Sequence, residues 1–294
     1  MALAVATTAG AQLVNVKSME RIQIPKNTEM KVAGLSPDGS CLLLTTQTNK
    51  GLQKYDLATG TTEVLSTEEG AGYNPQISAD NKQVVYRETS IDKRNLRRAT
   101  LVQRSLMTAD RKVLLKGSRD LNGFMMRGNT LMTVNRKKLA VRPMTAEKAV
   151  EAPMVSISNM QLMLTENGNT RMLSPNGTDK SYIWPSISPD GRHICYYVAG
   201  NGCYVCDLNG QNVQYIARDC RAAKWLDNNT LVAMADQDNG EVLTASAIVV
   251  YNLQGQMQTL TPATTMAMYP YASADGKHIV CSTAQGEAYM ISLE

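Results

Sequence analysis

The chain has 294 residues, of which 43% are hydrophobic and 19% charged, and its formal net charge is +4 at pH 7. This composition is typical of a globular protein and excludes disordered and collagen-like chains, while 20 Gly and 10 Pro disfavour a coiled coil. No apolar run approaches the roughly 18 residues of a membrane-spanning helix, so we expect no membrane span.

The first residues of the chain are small and apolar. Residues 2–11 carry no charge, and Ala9-Gly10-Ala11 matches the A-x-A pattern that signal peptidase cleaves. A small-residue terminus without a targeting role is the alternative, because no basic segment precedes this stretch. We interpret residues 1–11 as the remnant of a signal peptide, which predicts a single mature domain over residues 12–294 and a periplasmic or secreted location.

One short phrase recurs along the rest of the chain. It reads Leu-Ser-Pro-Asp-Gly at 35–39, Ile-Ser-Ala-Asp-Asn at 77–81, Ile-Ser-Pro-Asp-Gly at 187–191 and Ala-Ser-Ala-Asp-Gly at 272–276, with a degenerate copy at 225–229. Asp-Gly and Asp-Asn supply the positive-φ positions of tight turns, and each copy precedes a run rich in β-formers. Each phrase is therefore predicted to join two antiparallel strands.

A second phrase follows most copies and completes a unit of four strands. It contains Tyr-Asp-Leu at 55–57, Cys-Asp-Leu at 206–208 and Tyr-Asn-Leu at 251–253, each followed by a turn and a last strand. Four-stranded units that repeat every roughly 36 to 50 residues are typical of propeller blades. The predicted blades are 30–67, 71–117, 119–178, 182–217, 220–261 and 268–294.

The last predicted blade has only three strands. Residues 12–26 contain an extended stretch without a blade of its own, and a strand from this stretch can complete the last blade and remove exposed sheet edges. The sequence therefore predicts an all-β fold, a six-bladed β-propeller with its N-terminal strand closing the last blade. We expect a monomer.

The repeat also supports a family resemblance. A Ser-Pro-Asp-Gly turn, preceded by an aromatic residue with proline and followed by Tyr-Asp-Leu, resembles the repeat of TolB-like six-bladed propellers and of the propeller in prolyl oligopeptidase-type peptidases. The resemblance covers residues 30–294, although blade 119–178 departs from it. A WD-type propeller fits less well because the chain has no Trp-Asp or Gly-His dipeptide. The resemblance implies a periplasmic protein that engages protein or envelope partners through one face.

Aromatic residues cluster shortly before the repeat serines. Tyr73, Tyr182, Trp184 and Tyr269 stand beside prolines in the connections between blades, which emerge on one face of a propeller together with the central channel. We predict that they form a candidate binding face suited to a peptide or a sugar. The alternative is that they pack adjacent blades against each other.

Two connections between second and third strands are predicted to be long loops. Residues 89–98 are basic and residues 236–244 are acidic. In a ring of six blades these loops would lie opposite each other and could orient a polar partner across the channel mouth. Solvated loops without a role are the alternative. The candidate contact residues are Arg94, Arg97, Arg98, Asp236 and Asp238.

Positive charge is concentrated in one part of the chain. Residues 82–148 carry 17 Lys or Arg and five acidic residues. Nucleic-acid-binding proteins usually interleave aromatic residues for base stacking, and only Tyr86 and Phe124 lie nearby, so we do not expect nucleic acid. The excess charge instead predicts a protein partner or an anionic envelope surface or glycan.

No metal or cofactor is expected from the motifs. The two histidines, His193 and His278, occupy the same position of the repeat, which is typical of packing. Cys203 and Cys206 lie three apart in a predicted strand, where their side chains point to opposite faces and cannot chelate one ion.

The sequence raises the hypothesis of one cross-strand disulfide. A turn centred on Gly200-Asn201 would place Cys195 opposite Cys206 across a hairpin. Strand geometry would strain a bond there, so we expect a buried, reduced pair.

Sequence signatures of enzymes are also missing. The chain contains no G-x-S-x-G nucleophile elbow and no P-loop. We therefore predict a non-catalytic, exported scaffold that binds a protein or envelope ligand through one face. The alternative is a propeller enzyme, such as a polysaccharide lyase, a glycosidase or a peptidase-associated protein, in which carboxylates or a histidine with a carboxylate converge at the channel mouth.

Overall fold

The computed structural model describes residues 11–24 and 30–294 of the chain. The regular structure of these residues is almost entirely β, with a single short 3-10 helix at Ala263–Thr265. Within the described part of the chain, no helix combines the length and apolar character that crossing a membrane requires. The predicted signal peptide falls almost wholly outside the described residues and stays a prediction.

The strands form seven antiparallel sheets, and the fold is a β-propeller with seven blades. The sheets belong to two compact units. Among the described residues, the N-terminal unit comprises 23–24, 30–152 and 166–169, and the C-terminal unit comprises 11–22, 153–165 and 170–294.

The N-terminal unit contains three sheets, which follow β1 (Val16–Ile22) along the chain. The first sheet consists of β2 (Met30–Leu35), β3 (Cys41–Thr46), β4 (Leu52–Asp56) and β5 (Thr62–Ser66). The second consists of β6 (Gln76–Ile77), β7 (Gln83–Ile91), β8 (Arg97–Ser105) and β9 (Arg111–Ser118). The third has three strands: β10 (Leu121–Arg127), β11 (Thr130–Asn135) and β12 (Lys138–Pro143).

The C-terminal unit contains four sheets, apart from residues 166–169 of the first one. The first has three strands: β13 (Met154–Ser158), β14 (Gln161–Glu166) and β15 (Asn169–Met172). The next two consist of β16 (Tyr182–Ile187), β17 (His193–Val198), β18 (Gly202–Asp207) and β19 (Gln214–Ala217), then β20 (Arg221–Trp225), β21 (Thr230–Asp238), β22 (Leu243–Asn252) and β23 (Met257–Thr259). The last sheet consists of β24 (Ala267–Ala272), β25 (His278–Thr283), β26 (Ala288–Leu293) and β1.

The predicted number of six blades is wrong. Residues 119–178, expected to form one blade, contain two separate three-stranded sheets, β10–β12 and β13–β15. Neither sheet carries the Ser-x-Asp-Gly phrase, so a count based on that phrase merges them. With seven blades, the argument that placed two loops opposite each other in a ring of six no longer holds.

The predicted role of the N-terminal strand is confirmed. β1 pairs antiparallel with β26, with Met19 opposite Ile291. The segment before β1 is held by Gln258, whose side-chain oxygen accepts hydrogen bonds from the backbone N–H groups of Leu13 and Val14 at 2.7 and 2.9 Å. The last blade is thus completed by a strand from the N-terminal part of the protein, and this strand covers the edge of β26.

The recurring phrase forms a turn held by two of its own side chains. In the first copy the buried Ser36 hydroxyl donates to Asp38 at 2.7 Å and accepts the backbone N–H of Cys41 at 2.9 Å. The same two contacts recur at Ser78, Ser188 and Ser273. Positive φ is confined to the residue after the aspartate, as at Gly39 with φ 71°. The phrase therefore needs Gly or Asn at that position alone.

Asparagines from a neighbouring blade tie two of these turns. The Asn228 side chain accepts the backbone N–H of Asp190 at 2.9 Å within the C-terminal unit, and Asn129 accepts that of Asp80 at 3.0 Å within the N-terminal unit. Each bond links the turn of one sheet to the turn of the next, so the repeat also sets how neighbouring blades meet.

Replacing Met160 with glycine is expected to raise the free energy of unfolding by about 1 kcal/mol. Asn159 and Met160 form the two-residue turn between β13 and β14 with φ 49° and 62°, and the Met160 side chain is 64% exposed. Such turns favour Asn-Gly because the second position has positive φ. Chemical denaturation measures the change.

Gly168 provides the matched control for this substitution. It follows Asn167 in the turn between β14 and β15 with φ 74°, and a Cβ there would meet nothing within 4 Å. Gly168→Met should lower stability by a similar amount. Equal effects of both substitutions in the same direction would contradict the backbone explanation.

Candidate functional site

The first strands of three neighbouring blades in the C-terminal unit share one irregularity. Trp184 in β16, Ala222 in β20 and Tyr269 in β24 have φ of 51°, 50° and 52°, and the strand register shifts at each. A left-handed backbone is rare for large side chains and costs about 1 to 3 kcal/mol, and such residues concentrate at functional sites. The bulge re-aims the side chains around it, which makes these strands the place to look for a site.

Four side chains come together beside the Trp184 bulge, and we call them the Trp184 cluster: Trp184, Tyr197, Arg221 and Asp236. The Trp184 and Tyr197 rings meet edge to face with their centres 5.5 Å apart. The Arg221 guanidinium lies 5.9 Å from the Trp184 ring centre, a distance at which a cation is attracted to the ring face. Arg221 also donates from Nη1 to Oδ2 of Asp236 at 2.6 Å. The cluster thus combines flat apolar surface with an ion pair.

Asp236 is the most enclosed charged group of the cluster. Its side chain is 4% exposed, whereas that of Arg221 is 36% exposed. Burial raises the pKa of Asp236, and the charge of Arg221 opposes that rise. Oδ1 of Asp236, Nε of Arg221 and the hydroxyl of Ser186 in β16 are buried and have no hydrogen-bond partner among the described residues. The cluster therefore encloses three polar atoms whose hydrogen-bonding capacity is unsatisfied.

A second cation, Lys224, lies three residues after Arg221 in the same strand β20. The Lys224 ammonium is 5.7 Å from the ring centre of Tyr271 in β24, and it forms no ion pair with a described residue. Burial lowers the pKa of Lys224. One position of the repeat lies two residues before the serine of the phrase. In three successive blades it is occupied by Ser186, Lys224 and Tyr271. The first strands of this unit therefore present aromatic rings and cations side by side.

The structure separates the aromatic residues predicted for the binding face. Tyr182 is fully buried, and its hydroxyl donates to the Gly177 carbonyl at 3.1 Å and accepts the Asn176 N–H at 2.8 Å. A ring without exposed surface cannot contact a ligand, so Tyr182 is removed from the candidate face. Trp184 is partly buried in the cluster and Tyr269 is 40% exposed. Both stay candidates.

The two predicted long loops are hairpins with short turns, and that prediction is wrong. β7 and β8 pair from Gln83 with Ser105 to Ile91 with Arg97, and β21 pairs with β22 as far as Asp238. Asp238 is exposed, and its Oδ1 accepts the Gly240 N–H at 3.0 Å. Asp236 and Asp238 therefore lie in a paired strand, and the Asp236 side chain belongs to the Trp184 cluster.

The other predicted contact residues belong to the N-terminal unit. Tyr73 is 55% exposed. Arg94 lies exposed in the turn after β7, and Arg97 is exposed at the start of β8. Arg98 donates to Asp92, with Nη2 and Oδ2 2.6 Å apart, so its charge is already paired.

The predicted register of the cysteine hairpin is wrong by one residue. β17 and β18 pair Cys195 with Val205 and Ile194 with Cys206, because the turn spans residues 199–201. The sulfur near Cys195 is that of Cys203, at 3.5 Å, and both thiols are buried and free. In the part of the chain that the structure describes, no group of three or more His, Cys, Asp or Glu is arranged to hold a metal ion.

A separate cavity of about 660 Å³ lies elsewhere in the C-terminal unit. It is lined by residues 12–15, by the turns at 226–228 and 274–276 and by the end of β26. None of the residues of the Trp184 cluster lines it, so the two features are distinct.

Comparison with known proteins supports the fold alone. No protein-family model matches the sequence, and no curated protein is similar to it. The chain is similar to the RRP9 WD40 repeats (TM-score 0.63, 10% identity, 99% of this chain and 100% of that one) and to the putative TolB from Agrobacterium tumefaciens (0.55, 15%, 94% and 96%). It is also similar to TolB from Acinetobacter baumannii (0.52, 14%), covering 87% of this chain and 63% of that one. These structural similarities support the assignment of the fold as a β-propeller.

Proposed function

We propose that this protein is an exported, non-catalytic binding scaffold of the TolB-like type, which holds a protein or envelope ligand at the Trp184 cluster. The observation that carries the proposal is the Arg221–Asp236 pair, in which a cation stacked on Trp184 is bonded to a carboxylate that keeps one oxygen unbonded. A pair that served stability alone would be expected to satisfy both of its buried polar atoms.

The residue types of the cluster favour a protein ligand. Trp, Tyr and Arg supply most of the binding energy in protein interfaces, because large rigid rings and a planar guanidinium bury much area at little entropic cost. The Arg221 side chain is 36% exposed, so its guanidinium can donate to a ligand carbonyl or carboxylate, while Asp236 holds it in place from the buried side. The cluster thus offers aromatic surface and a positioned donor to a polypeptide.

A propeller enzyme is the second candidate, and one observation favours it. Besides burial, the nearby carboxylates Asp238 and Asp219 raise the pKa of Asp236. A carboxyl group whose pKa is raised by burial is the kind of group that serves as a general acid. In this case Asp236→Asn would abolish turnover of a substrate that the variant still binds.

Site-specific photocrosslinking in cells that produce the full chain tests the scaffold. A benzophenone side chain at position 269 lies on the strand next to the cluster and leaves the cluster intact, and the same group at position 215 is the control. Tyr215 is 54% exposed on the outer strand β19. We expect a discrete adduct from position 269 that is absent from position 215 and is lost on Arg221→Gln.

The identity of the adduct separates the candidates. A protease-sensitive adduct supports a protein partner, and an adduct that resists protease and is removed by glycan cleavage supports an envelope ligand. The same adducts from both positions, unaffected by Arg221→Gln, would overturn the proposal. Fractionation of the same cells shows whether the chain is exported.

A further inference from the structure

Sheet β6–β9 of the N-terminal unit pairs most of its arginines with carboxylates. Arg98 is bonded to Asp92 at 2.6 Å and Arg111 to Glu88 at 2.8 Å, and Arg104 reaches Glu63 at 3.1 Å. Arg87 lies in the middle of β7 in the same sheet, and it forms no ion pair with any described residue. The sheet therefore leaves one central cation without a counterion.

Arg87 has an aromatic ring on one side and no anionic partner among the described residues. Its guanidinium carbon is 4.6 Å from the centre of the Tyr73 ring, and its Nε is buried and has no hydrogen-bond partner among the described residues. Tyr73 is 55% exposed, so the ring shields one side of the guanidinium and remains open to solvent. Burial, together with the nearby charge of Arg97, lowers the pKa of Arg87. Burying a cation without a partner is costly, and a ligand anion would offset that cost.

Arg97 belongs to the same face of the hairpin. In the register of β7 and β8, Ile91 faces Arg97 and Arg87 faces Leu101. Alternate residues of a strand share a face, so the side chains at positions 87 and 91 of β7, and with them Arg97, project to the same side. Arg97 is exposed and forms no ion pair with a described residue. Glu88 of β7 and Asp92 of the turn after it do not neutralise this face, because they are already paired with Arg111 and Arg98.

We propose that Arg87, Arg97 and Tyr73 form a recognition site for a carboxylate borne by an acidic polypeptide segment. The planar guanidinium of Arg87 matches the two oxygens of a carboxylate, and Arg97 adds a second positive charge at the rim. Tyr73 offers its open surface to the aliphatic part of a glutamate side chain. The surplus of basic residues over 82–148 would speed the approach of an acidic segment. This site lies within the N-terminal unit and does not depend on the Trp184 cluster.

Nitrogen-15 NMR of the full chain tests the site at the arginine Nε–H groups. The Arg87 resonance is identified by its loss in Arg87→Lys, and the probes are N-acetyl-tetraglutamate, N-acetyl-tetraglutamine and inorganic phosphate at constant ionic strength. We expect tetraglutamate to shift the Arg87 resonance with a saturable dependence and tetraglutamine to leave it unchanged. Arg97→Gln should weaken the binding of tetraglutamate about tenfold, as expected for one lost charge-assisted contact.

Arg94→Gln is the matched control, because Arg94 is exposed in the adjoining turn and its loss removes the same charge. It should leave the affinity within about twofold. Equal weakening by Arg94→Gln and Arg97→Gln would show general attraction and overturn the site. Shifts that stay linear, and that also appear at the paired Arg111, would do the same. Saturable binding of phosphate without binding of tetraglutamate would overturn the assignment to a carboxylate.

Discussion

Tyr196→Ala is expected to lower the free energy of unfolding by about 3 to 5 kcal/mol, as for other large aromatic residues removed from a core. Tyr196 is fully buried in the middle of β17, where its ring lies 5.9 Å from that of Tyr204 and 5.6 Å from that of Tyr182. Its hydroxyl donates to the side-chain oxygen of Asn176 at 2.7 Å. Truncation therefore leaves a cavity, removes two ring contacts and deprives the Asn176 side-chain oxygen of its hydrogen-bond donor. Urea denaturation followed by circular dichroism measures the loss.

Two further variants separate the causes of this loss. Tyr196→Phe keeps the ring and removes the hydroxyl, so we expect a loss of about 1 kcal/mol from the hydrogen bond to Asn176. Tyr215→Ala truncates a ring that is 54% exposed and should cost less than half as much as Tyr196→Ala. A Tyr196→Ala variant as stable as Tyr215→Ala would show that the sheet β16–β19 does not pack as described.

The repeat phrase made most of the fold predictable, since it carries its own physical cause. Ser36 and Asp38 hold the turn with their own side chains, so the phrase forms the same turn wherever it occurs. Where it is missing, prediction failed. Sheets β10–β12 and β13–β15 use other turns, such as Arg136-Lys137 and Asn159-Met160 with positive φ at residues that rarely adopt it. These turns lack the Ser-x-Asp-Gly phrase on which the count was based, and two blades were therefore counted as one.

The candidate site was less predictable because it depends on backbone irregularities. Tyr182 and Trp184 lie two residues apart, and regular strand alternation would place both on one face. The left-handed backbone at Trp184 breaks the alternation, so Tyr182 enters the core while Trp184 meets Arg221. Arg221 and Lys224 were overlooked because their copy of the repeat is degenerate. Aligning that copy by position would have matched Lys224 with Tyr271.

Arg221→Ala is expected to lower stability by about 2 to 3 kcal/mol at neutral pH, because it leaves the Asp236 carboxylate enclosed without its counterion. The side chain of Asp236 is 4% exposed and bonds Arg221 at 2.6 Å. Adding Asp236→Asn to this variant removes the unpaired charge, so the double variant should recover more than half of the loss. The same denaturation experiment, applied to the single and double variants, gives the coupling between the two residues.

The pH dependence identifies the charge on Asp236 as the cause. Burial raises the folded-state pKa of Asp236 above its ordinary value of 3.8, and loss of Arg221 raises it further. A carboxyl group with a raised folded-state pKa contributes its full stability below pH 3.8, and that contribution is lost as the pH rises through the folded-state pKa. The deficit of Arg221→Ala relative to the unmodified chain should therefore be small near pH 3.8 and grow towards neutral pH. A deficit of constant size across this range would assign the loss to the contact of Arg221 with Trp184 and leave the carboxylate without a role in it.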